Sequence, residues 1–123
     1  MRSGDRGFSL IELMCGVVIL LIISISALFA FINSMLLNES SRNRVIAAND
    51  AQYALEQIKE QDFNDIQTYI GNYNTTFTNL AGESITFPNP IYTSTLDTIT
   101  VQVVWNERNE TRAFTLTTRF AQE

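Results

Sequence analysis

Carboxylates are the side chains of this sequence that could carry out acid-base chemistry or bind a metal ion, since the chain has 13 Asp and Glu residues and no His. The candidates for a carboxylate pair or a calcium site are Asp62, Asp65, Asp97, Glu107 and Glu110. Their spacing does not match the D-x-[DN]-x-[DN]-G pattern of a calcium loop. We therefore expect each of them on a solvated helix face or in a turn, and we predict no metal site and no cofactor.

Residue types exclude most other enzyme chemistry. Without His the chain cannot form a Ser-His-Asp triad, a Cys-His pair or a His-ligated zinc site. Its single Cys rules out an intrachain disulfide, and because Cys15 lies in an apolar run we expect a small buried hydrophobic residue rather than a redox centre. The net charge of −5 argues against nucleic acid as the main partner, because phosphate binding needs a basic face. We predict that the protein is not an enzyme.

Glu12 is the one acid whose surroundings conflict with its charge. It stands at the head of an apolar run, and no residue from Leu13 to Asn38 is charged. A carboxylate at membrane depth costs about 2 to 3 kcal/mol unless something compensates it. One possibility is that Glu12 stays at the headgroup level, where solvent neutralises it. The other is that a positive group pairs with it.

The apolar run that follows Glu12 has the length of a membrane span. Leu13 to Ile32 consists almost entirely of Leu, Val, Ile, Phe and Met. At 1.5 Å per residue such a helix covers about 30 Å, which is the thickness of the hydrocarbon core of a bilayer. A core helix of a soluble protein would need neighbours on every side, and the rest of the chain is too short and too polar to supply them.

A cleaved secretory signal is the stronger alternative for this run. Arg2 and Arg6 would form its basic region, Leu13 to Ile23 its apolar region, and the small residues Ser24 and Ser26 its cleavage site. The mature protein would then begin near Ala27. The N-terminus of the mature protein distinguishes this alternative from a retained helix.

The segment before the apolar run carries a motif. Residues 1–7 are short and polar, and the string GFSLIE occupies positions Gly7 to Glu12. With the long apolar run behind it, this string resembles the class III signal of type IV prepilins and type II secretion pseudopilins. The resemblance rests on four features: a Gly at the cleavage point, a Phe after it, a Glu shortly inside the mature chain, and an apolar helix that is retained.

The resemblance implies a processing event and an assembly contact. A membrane-embedded prepilin peptidase would cleave between Gly7 and Phe8 on the cytoplasmic side and N-methylate the new Phe8 amine. That amine and the Glu12 carboxylate would then lie at positions i and i+4 on one helix face, and the helix N-terminus also favours a negative charge. In this family the Glu meets the amine of a neighbouring subunit as helices pack into a filament. Glu12 is therefore the predicted assembly residue.

The remaining sequence predicts an amphipathic helix followed by strands. No Pro or Gly occurs from Asn33 to Gln67, so one helix is expected from about Ser9 to about Ile70, and Gly71-Asn72 is a natural stop. Its apolar residues recur in steps of three and four, which predicts one buried face, while charged residues including Asp50 mark the opposite side. The predicted stripe consists of Val45, Ala48, Ala51, Leu55, Ile58, Ile66 and Tyr69 or Ile70.

The last part of the chain changes to a period of two. Ile99, Val101, Val103 and Trp105 alternate with polar or smaller residues, and a second alternating run includes Phe114, Leu116 and Phe120, with a polar turn between the two. We predict a hairpin whose Trp105 anchors the core. Weaker strand candidates are Tyr73 to Phe77 and Ser84 to Phe87, and Pro88-Asn89-Pro90 predicts a loop. The hairpin also resembles the closing hairpin of small minor pilins and minor pseudopilins.

These patterns together predict an α+β fold. A long N-terminal helix, apolar in its first half and amphipathic in its second, packs on a small C-terminal antiparallel sheet. The expected segments are a removed leader at residues 1–7, a transmembrane and filament-core helix half at 8–37, an amphipathic helix half at 38–70, and the sheet at 71–123.

The resemblance implies a structural function. The chain is expected to be a minor pilin or pseudopilin that initiates or tips a type IV pilus-like filament or a type II secretion pseudopilus. Its expected partners are other pilins or pseudopilins, the prepilin peptidase and methyltransferase, and an inner-membrane assembly platform. It would cross the bacterial inner membrane once, with its C-terminal part on the extracytoplasmic side. The alternative is a monomeric membrane-anchored binding module, such as an adhesin or a receptor for DNA or an exoprotein.

Overall fold

The computed structural model of the chain describes residues 9–122. Its elements are helix α1 (Leu10–Lys59), a 3-10 turn (Phe63–Asp65), helix α2 (Ile66–Gly71), and strands β1 (Ser84–Thr86), β2 (Leu96–Glu107) and β3 (Glu110–Ala121). The described residues form two compact units, one that ends at Glu39 and one that begins at Ser40. The first unit consists, in its described part, of the apolar half of α1. The second contains the rest of α1 and all other elements.

The apolar half of α1 presents its side chains to the outside. The helix begins after Ser9, whose carbonyl accepts hydrogen bonds from the backbone N–H groups of Glu12 at 3.0 Å and Leu13 at 3.1 Å. Almost every large apolar side chain from Leu10 to Leu37 is 50 to 77% exposed. Within residues 9–122, α1 is the one helix that is long and apolar enough to cross a membrane. Cys15 is exposed on this helix, so the prediction that it is buried was wrong for the isolated chain.

The core of the second unit lies between the later half of α1 and one face of the sheet. Its β2 residues alternate in and out, as a strand with one covered face must. The side chains that meet in this core come from α1, α2, the loop before β1, and β2: Ala47, Ala51, Ala54, Leu55, Ile58, Ile66, Leu80, Ile99, Val101, Val103 and Trp105. Trp105 is only 2% exposed, which confirms its predicted role as a core anchor.

The sheet is antiparallel, with β2 between β1 and β3. Arg108 and Asn109 connect β2 to β3 with φ angles of 52° and 65°. Positive φ at both central residues gives a turn whose twist matches that of the flanking strands, and Asn is one of the few residues with a side chain that are enriched in this conformation. The predicted hairpin and the α+β pilin-like fold are therefore confirmed. Of the two weaker strand candidates, Ser84–Thr86 forms β1, whereas Tyr73 to Phe77 is not a strand.

The predicted helix to Ile70 is interrupted. Helix α1 ends at Lys59, and Asp62 has an extended backbone with ψ of 142°. The chain at this point is a polar run from Lys59 to Asp62 with no apolar side chain to place in the core. After the break the chain turns, and Ile66 becomes almost completely buried, with 1% of its surface exposed. The amphipathic segment that was expected to run from residue 38 to 70 is therefore two helices rather than one.

The buried face of α1 includes Ala51, Leu55 and Ile58, as predicted, but its first turns are rotated from the predicted stripe. Val45 was expected to be buried and is 60% exposed, whereas Asp50 was expected on the polar side and is only 7% exposed. Ala47 and Ala54, which the predicted stripe did not include, are buried with 0% exposure, as is Ala51, which it did include. Small side chains let the helix backbone lie close to the bulky face of the sheet, so packing favoured the alanines over the larger Val45.

Candidate assembly site

Glu12 lies in the first turn of α1. Its backbone N–H donates to the Ser9 carbonyl, and Ser9 and Glu12 have the S-x-x-E spacing of a capping box. The positive end of the helix dipole is located in this turn, so the structure places the carboxylate where a negative charge is favoured. The predicted processing residues, Gly7 and Phe8, lie outside the described residues. The pairing of the Phe8 amine with Glu12 therefore stays a prediction.

The surroundings of Glu12 are apolar. Its neighbours Leu10, Ile11, Leu13 and Met14 are 61 to 77% exposed, and Glu12 itself is exposed. In the sequence no Lys or Arg occurs between Arg6 and Arg42. A positive partner for this carboxylate at the same depth must therefore come from the head of the chain or from another molecule.

The other polar side chains in the apolar run make their own hydrogen bonds. The hydroxyl of Ser24 donates to the carbonyl of Leu20 at 2.8 Å, and the hydroxyl of Ser26 donates to the carbonyl of Ile22 at 2.9 Å. Such bonds inside the helix let a hydroxyl enter an apolar medium without an external partner. The Glu12 carboxylate cannot form a bond of this kind, because an ionised carboxylate accepts hydrogen bonds and cannot donate one to a carbonyl. The free energy of Glu12 therefore depends on whether lipid, water or a positive group surrounds it.

Two of the five carboxylates first considered for chemistry are buried in the second unit, which corrects the expectation that all are solvated. Asp97 is 3% exposed and accepts a hydrogen bond from the Thr93 backbone N–H at 3.0 Å. Glu107 is 6% exposed. Both have odd numbers, in phase with the inward-facing β2 row from Ile99 to Trp105. That phase was the signal in the sequence that could have identified them as buried.

Glu107 joins helix α1 to the end of β2. Its Oε2 accepts hydrogen bonds from Asn43 Nδ2 at 3.0 Å and from Trp105 Nε1 at 3.3 Å. The bond from Asn43 is the largest cause that lowers the pKa of Glu107 below the ordinary 4.5, and burial opposes it. A carboxylate held by donors in this way is a structural link rather than a proton-transfer group.

The remaining candidates are exposed. Asp62 and Asp65 lie at the surface near the end of α1, and Glu110 forms an ion pair with Arg112, with 2.8 Å between Oε2 and Nη2. No group of three or more acidic, His or Cys side chains able to hold a metal ion occurs within residues 9–122. The structure therefore does not bring these five carboxylates together into one site.

Comparison with known protein families adds a match at the N-terminus. Residues 2–28 match the family model described as the prokaryotic N-terminal methylation motif. Searches of curated proteins and of solved structures give no match. The matched segment includes Gly7, Phe8 and Glu12 and extends into the exposed apolar helix. Such a motif implies processing by a prepilin peptidase and assembly with other pilins. The chain thus carries a type IV pilin-like prepilin signal, followed by a membrane-anchoring apolar helix and a small α+β unit.

Proposed function

We propose that the chain is a minor pilin or pseudopilin, a structural subunit that helps to initiate or tip a type IV pilus-like filament or a type II secretion pseudopilus. The observation that carries this proposal is the prepilin signal followed directly by a helix whose apolar side chains are 50 to 77% exposed. Such a surface needs lipid or other helices around it. The proposed role is mechanical, with no catalytic residue.

Assembly in this proposal exchanges lipid contacts for helix contacts. Apolar helices gain little hydrophobic energy from each other in lipid, because the lipid tails are equally apolar. A charge that is unfavourable in lipid and paired in the filament therefore shifts the equilibrium toward assembly. A carboxylate at membrane depth costs about 2 to 3 kcal/mol. Pairing Glu12 with the Phe8 amine of a neighbour would remove that cost and fix the register of the helices.

Three features favour a minor subunit over the bulk subunit. The second unit is small, with a three-stranded sheet. Helix α1 contains no Pro, whereas many major pilins of the family carry one in the buried half. The hairpin formed by β2 and β3 is the segment whose sequence resembles the closing hairpin of small minor pilins and minor pseudopilins.

The proposed orientation follows from the charges near the membrane. Arg2 and Arg6 precede the apolar run, and basic residues tend to stay on the cytoplasmic side. The second unit would then lie on the extracytoplasmic side of the inner membrane before assembly. There it would meet the inner-membrane assembly platform and neighbouring pilins or pseudopilins.

Substitution of Glu12 tests the proposal. Glu12→Ala removes both the cost in lipid and the pair in the filament, so the assembly equilibrium should fall by about 100-fold. Glu60→Ala, at an exposed carboxylate of the second unit, is the matched control and should assemble normally. Assembly is measured by crosslinking of the chain to sheared filaments or pseudopili, and membrane insertion by carbonate extraction.

The competing role gives a different result. A monomeric membrane-anchored adhesin or receptor would keep its binding function with Glu12→Ala, because its apolar helix would serve only as an anchor. Normal insertion with lost assembly supports the filament subunit. Normal insertion with unchanged assembly would contradict it.

A further inference from the structure

Strand β3 forms a long edge of the sheet. It is the last strand in the order β1, β2, β3, and its residues pair with β2 one to one from Glu110 to Ala121, without a bulge. The strand contains no Pro. Natural proteins commonly protect an edge with a bulge, a Pro or a short strand, because an open edge can pair with another chain. The opposite edge has such protection, since β1 is only three residues long.

The hydrogen bonds of β2 show which backbone groups of β3 point away from the sheet. In β2, Thr98 exchanges backbone hydrogen bonds with Ile91 at 2.8 and 3.0 Å, and the Asn106 N–H donates to the Ala81 carbonyl at 2.9 Å. Even-numbered residues of β2 therefore direct their backbone groups to the β1 side, and odd-numbered residues direct theirs to β3. The odd-numbered residues of β2 stand opposite even-numbered residues of β3. The odd-numbered residues of β3 consequently direct their N–H and C=O groups to the free edge.

These outward backbone groups are available for pairing. In the described part of the chain, no other element forms a backbone hydrogen bond with the residues concerned, which are Thr111, Ala113, Thr115, Thr117 and Arg119. All five are exposed. The edge therefore offers a continuous row of donors and acceptors at the spacing of an antiparallel partner strand.

The side of β3 that faces α1 is only partly covered. Phe114 and Leu116 are half-buried, whereas Val103 and Val101, which stand opposite them in β2, are 0% exposed. Helix α1 thus covers β2 more completely than β3. A groove remains between the helix and the strand, lined by Gln52, Leu55, Glu56, Lys59, Thr118 and Phe120. A further strand at this edge would cover the half-buried apolar side chains with its own.

The other side of β3 carries one charge. Its residues are Thr and Ala apart from Arg119, which is exposed and stands opposite Thr98 of β2. Within residues 9–122, no ion pair involves Arg119. A carboxylate directly opposite it on an added strand would form a favourable cross-strand pair.

We propose that the edge of β3 binds an extended segment of another protein, which adds an antiparallel fourth strand to the sheet. The segment that fits has apolar residues at alternate positions, over Phe114 and Leu116, and an acidic residue opposite Arg119. Backbone hydrogen bonds would supply affinity, and the alternate side chains specificity. The inference concerns the second unit alone and does not depend on the proposed filament role.

The charge of the edge favours such a segment over a second copy of β3. Residues that stand opposite each other in a sheet point to the same side, so a partner for Arg119 must come from the outward side of the added strand. That side of β3 contains no acid, because Glu110 lies on the side that faces α1. A second β3 strand would therefore leave Arg119 without a carboxylate.

The experiment uses NMR on the full chain in detergent micelles, with the synthetic peptide Asp-Val-Thr-Val-Thr-Val-Thr as the probe. When it pairs antiparallel to β3, its Asp lies opposite Arg119, and its second and third Val residues lie opposite Leu116 and Phe114. Protection of the β3 amides from hydrogen exchange and the Kd of the peptide are measured. The comparison peptide has Lys in place of Asp, and the protein variant is Arg119→Glu, at an exposed position.

Backbone pairing is tested by two methylated peptides. The N–H groups of the third and fifth peptide residues would face β3, whereas those of the fourth and sixth would point away. N-methylation at the third and fifth residues should abolish binding. N-methylation at the fourth and sixth residues is the matched control and should preserve it.

We expect the Asp peptide to protect the amides of Ala113, Thr115 and Thr117, which face solvent in the free protein. The Lys peptide should bind the wild type about two- to fivefold more weakly, and Arg119→Glu should reverse this order. If Arg119→Glu does not fold, the comparison of the two peptides on the wild type decides the charge preference.

Three results would overturn the proposal. The first is a lack of protection at the three amides, or equal binding of the two methylated peptides. The second is equal affinity of the wild type for the Asp and Lys peptides. The third is protection of the same amides without peptide that increases with protein concentration, because a second copy would then occupy the edge.

Discussion

Gly82→Ala tests whether the turn before β1 is as tightly fixed as its geometry indicates. Gly82 has a φ of +62°, a conformation that costs a residue with a side chain about 1 to 2 kcal/mol. A Cβ at this position would also lie 2.6 Å from Asn106 Nδ2. The Asn106 side chain can move aside, but its Oδ1 accepts a hydrogen bond from Thr111 at 3.4 Å that would be disturbed. The sum is a loss of about 2 kcal/mol in the free energy of unfolding.

The assay uses the single Trp of the chain. Trp105 is 2% exposed in the second unit, so its fluorescence reports the unfolding of that unit. A loss of about 2 kcal/mol lowers the Tm of a unit of this size by roughly 8 to 16 °C.

Gly71→Ala is the matched control. Gly71 ends α2, does not have a positive φ, and a Cβ there would meet no atom within 4 Å. The free energy of unfolding of Gly71→Ala should therefore differ from that of the wild type by less than about 0.5 kcal/mol, with a correspondingly small shift in Tm. Equal losses in the two variants, or no loss in Gly82→Ala, would refute the reasoning from the turn.

Two further predictions concern the same unit. Ile58→Ala removes a side chain with 0% exposure and should lower the free energy of unfolding by about 2 to 5 kcal/mol. Val45→Ala, at 60% exposure, should lower it by less than about 0.5 kcal/mol. Denaturant unfolding followed by Trp105 fluorescence measures both values, and similar losses would contradict the observed orientation of α1. The lowered pKa of Glu107 means that its stabilising contribution is present above pH 4.5 and is lost as the pH falls through the lowered value. Because Asn43 is the main cause, Asn43→Ala should make the Tm less sensitive to acid between about pH 5 and pH 3, and parallel Tm curves for the two proteins would speak against this link.

Elements defined by local periodicity could be predicted from the sequence. The alternation from Ile99 to Trp105 fixed β2 and its buried face, because side chains of a strand point to opposite sides in turn. The polar residues between the two alternating runs located the hairpin turn. The start of α1 near Ser9 also followed from local signals.

Features that depend on packing between distant parts could not be predicted in this way. Asp50 looked like a solvated helix residue because its type is polar, but it is buried and accepts hydrogen bonds from Asn79, 29 residues further along the chain. The break after Lys59 contains neither Pro nor Gly, and it serves to bring Ile66 to the core. Both are outcomes of tertiary contacts that override local preference.

The candidate assembly site was identified from a sequence motif rather than from three-dimensional geometry. The spacing of Gly7, Phe8 and Glu12 identified it, and the structure adds that Glu12 lies in the first helical turn amid exposed apolar side chains. The buried carboxylates of β2 show the opposite case. Asp97 and Glu107 were expected to be exposed because they are acidic, although their positions are in phase with the buried residues of β2.

The most direct test of the central claim is mass spectrometry of the N-terminus of the protein isolated from its host. The account predicts a chain that begins at Phe8 with a methylated amine and keeps the entire apolar helix. A chain that begins near Ala27, or one that retains the leader from Met1 to Gly7, would contradict it.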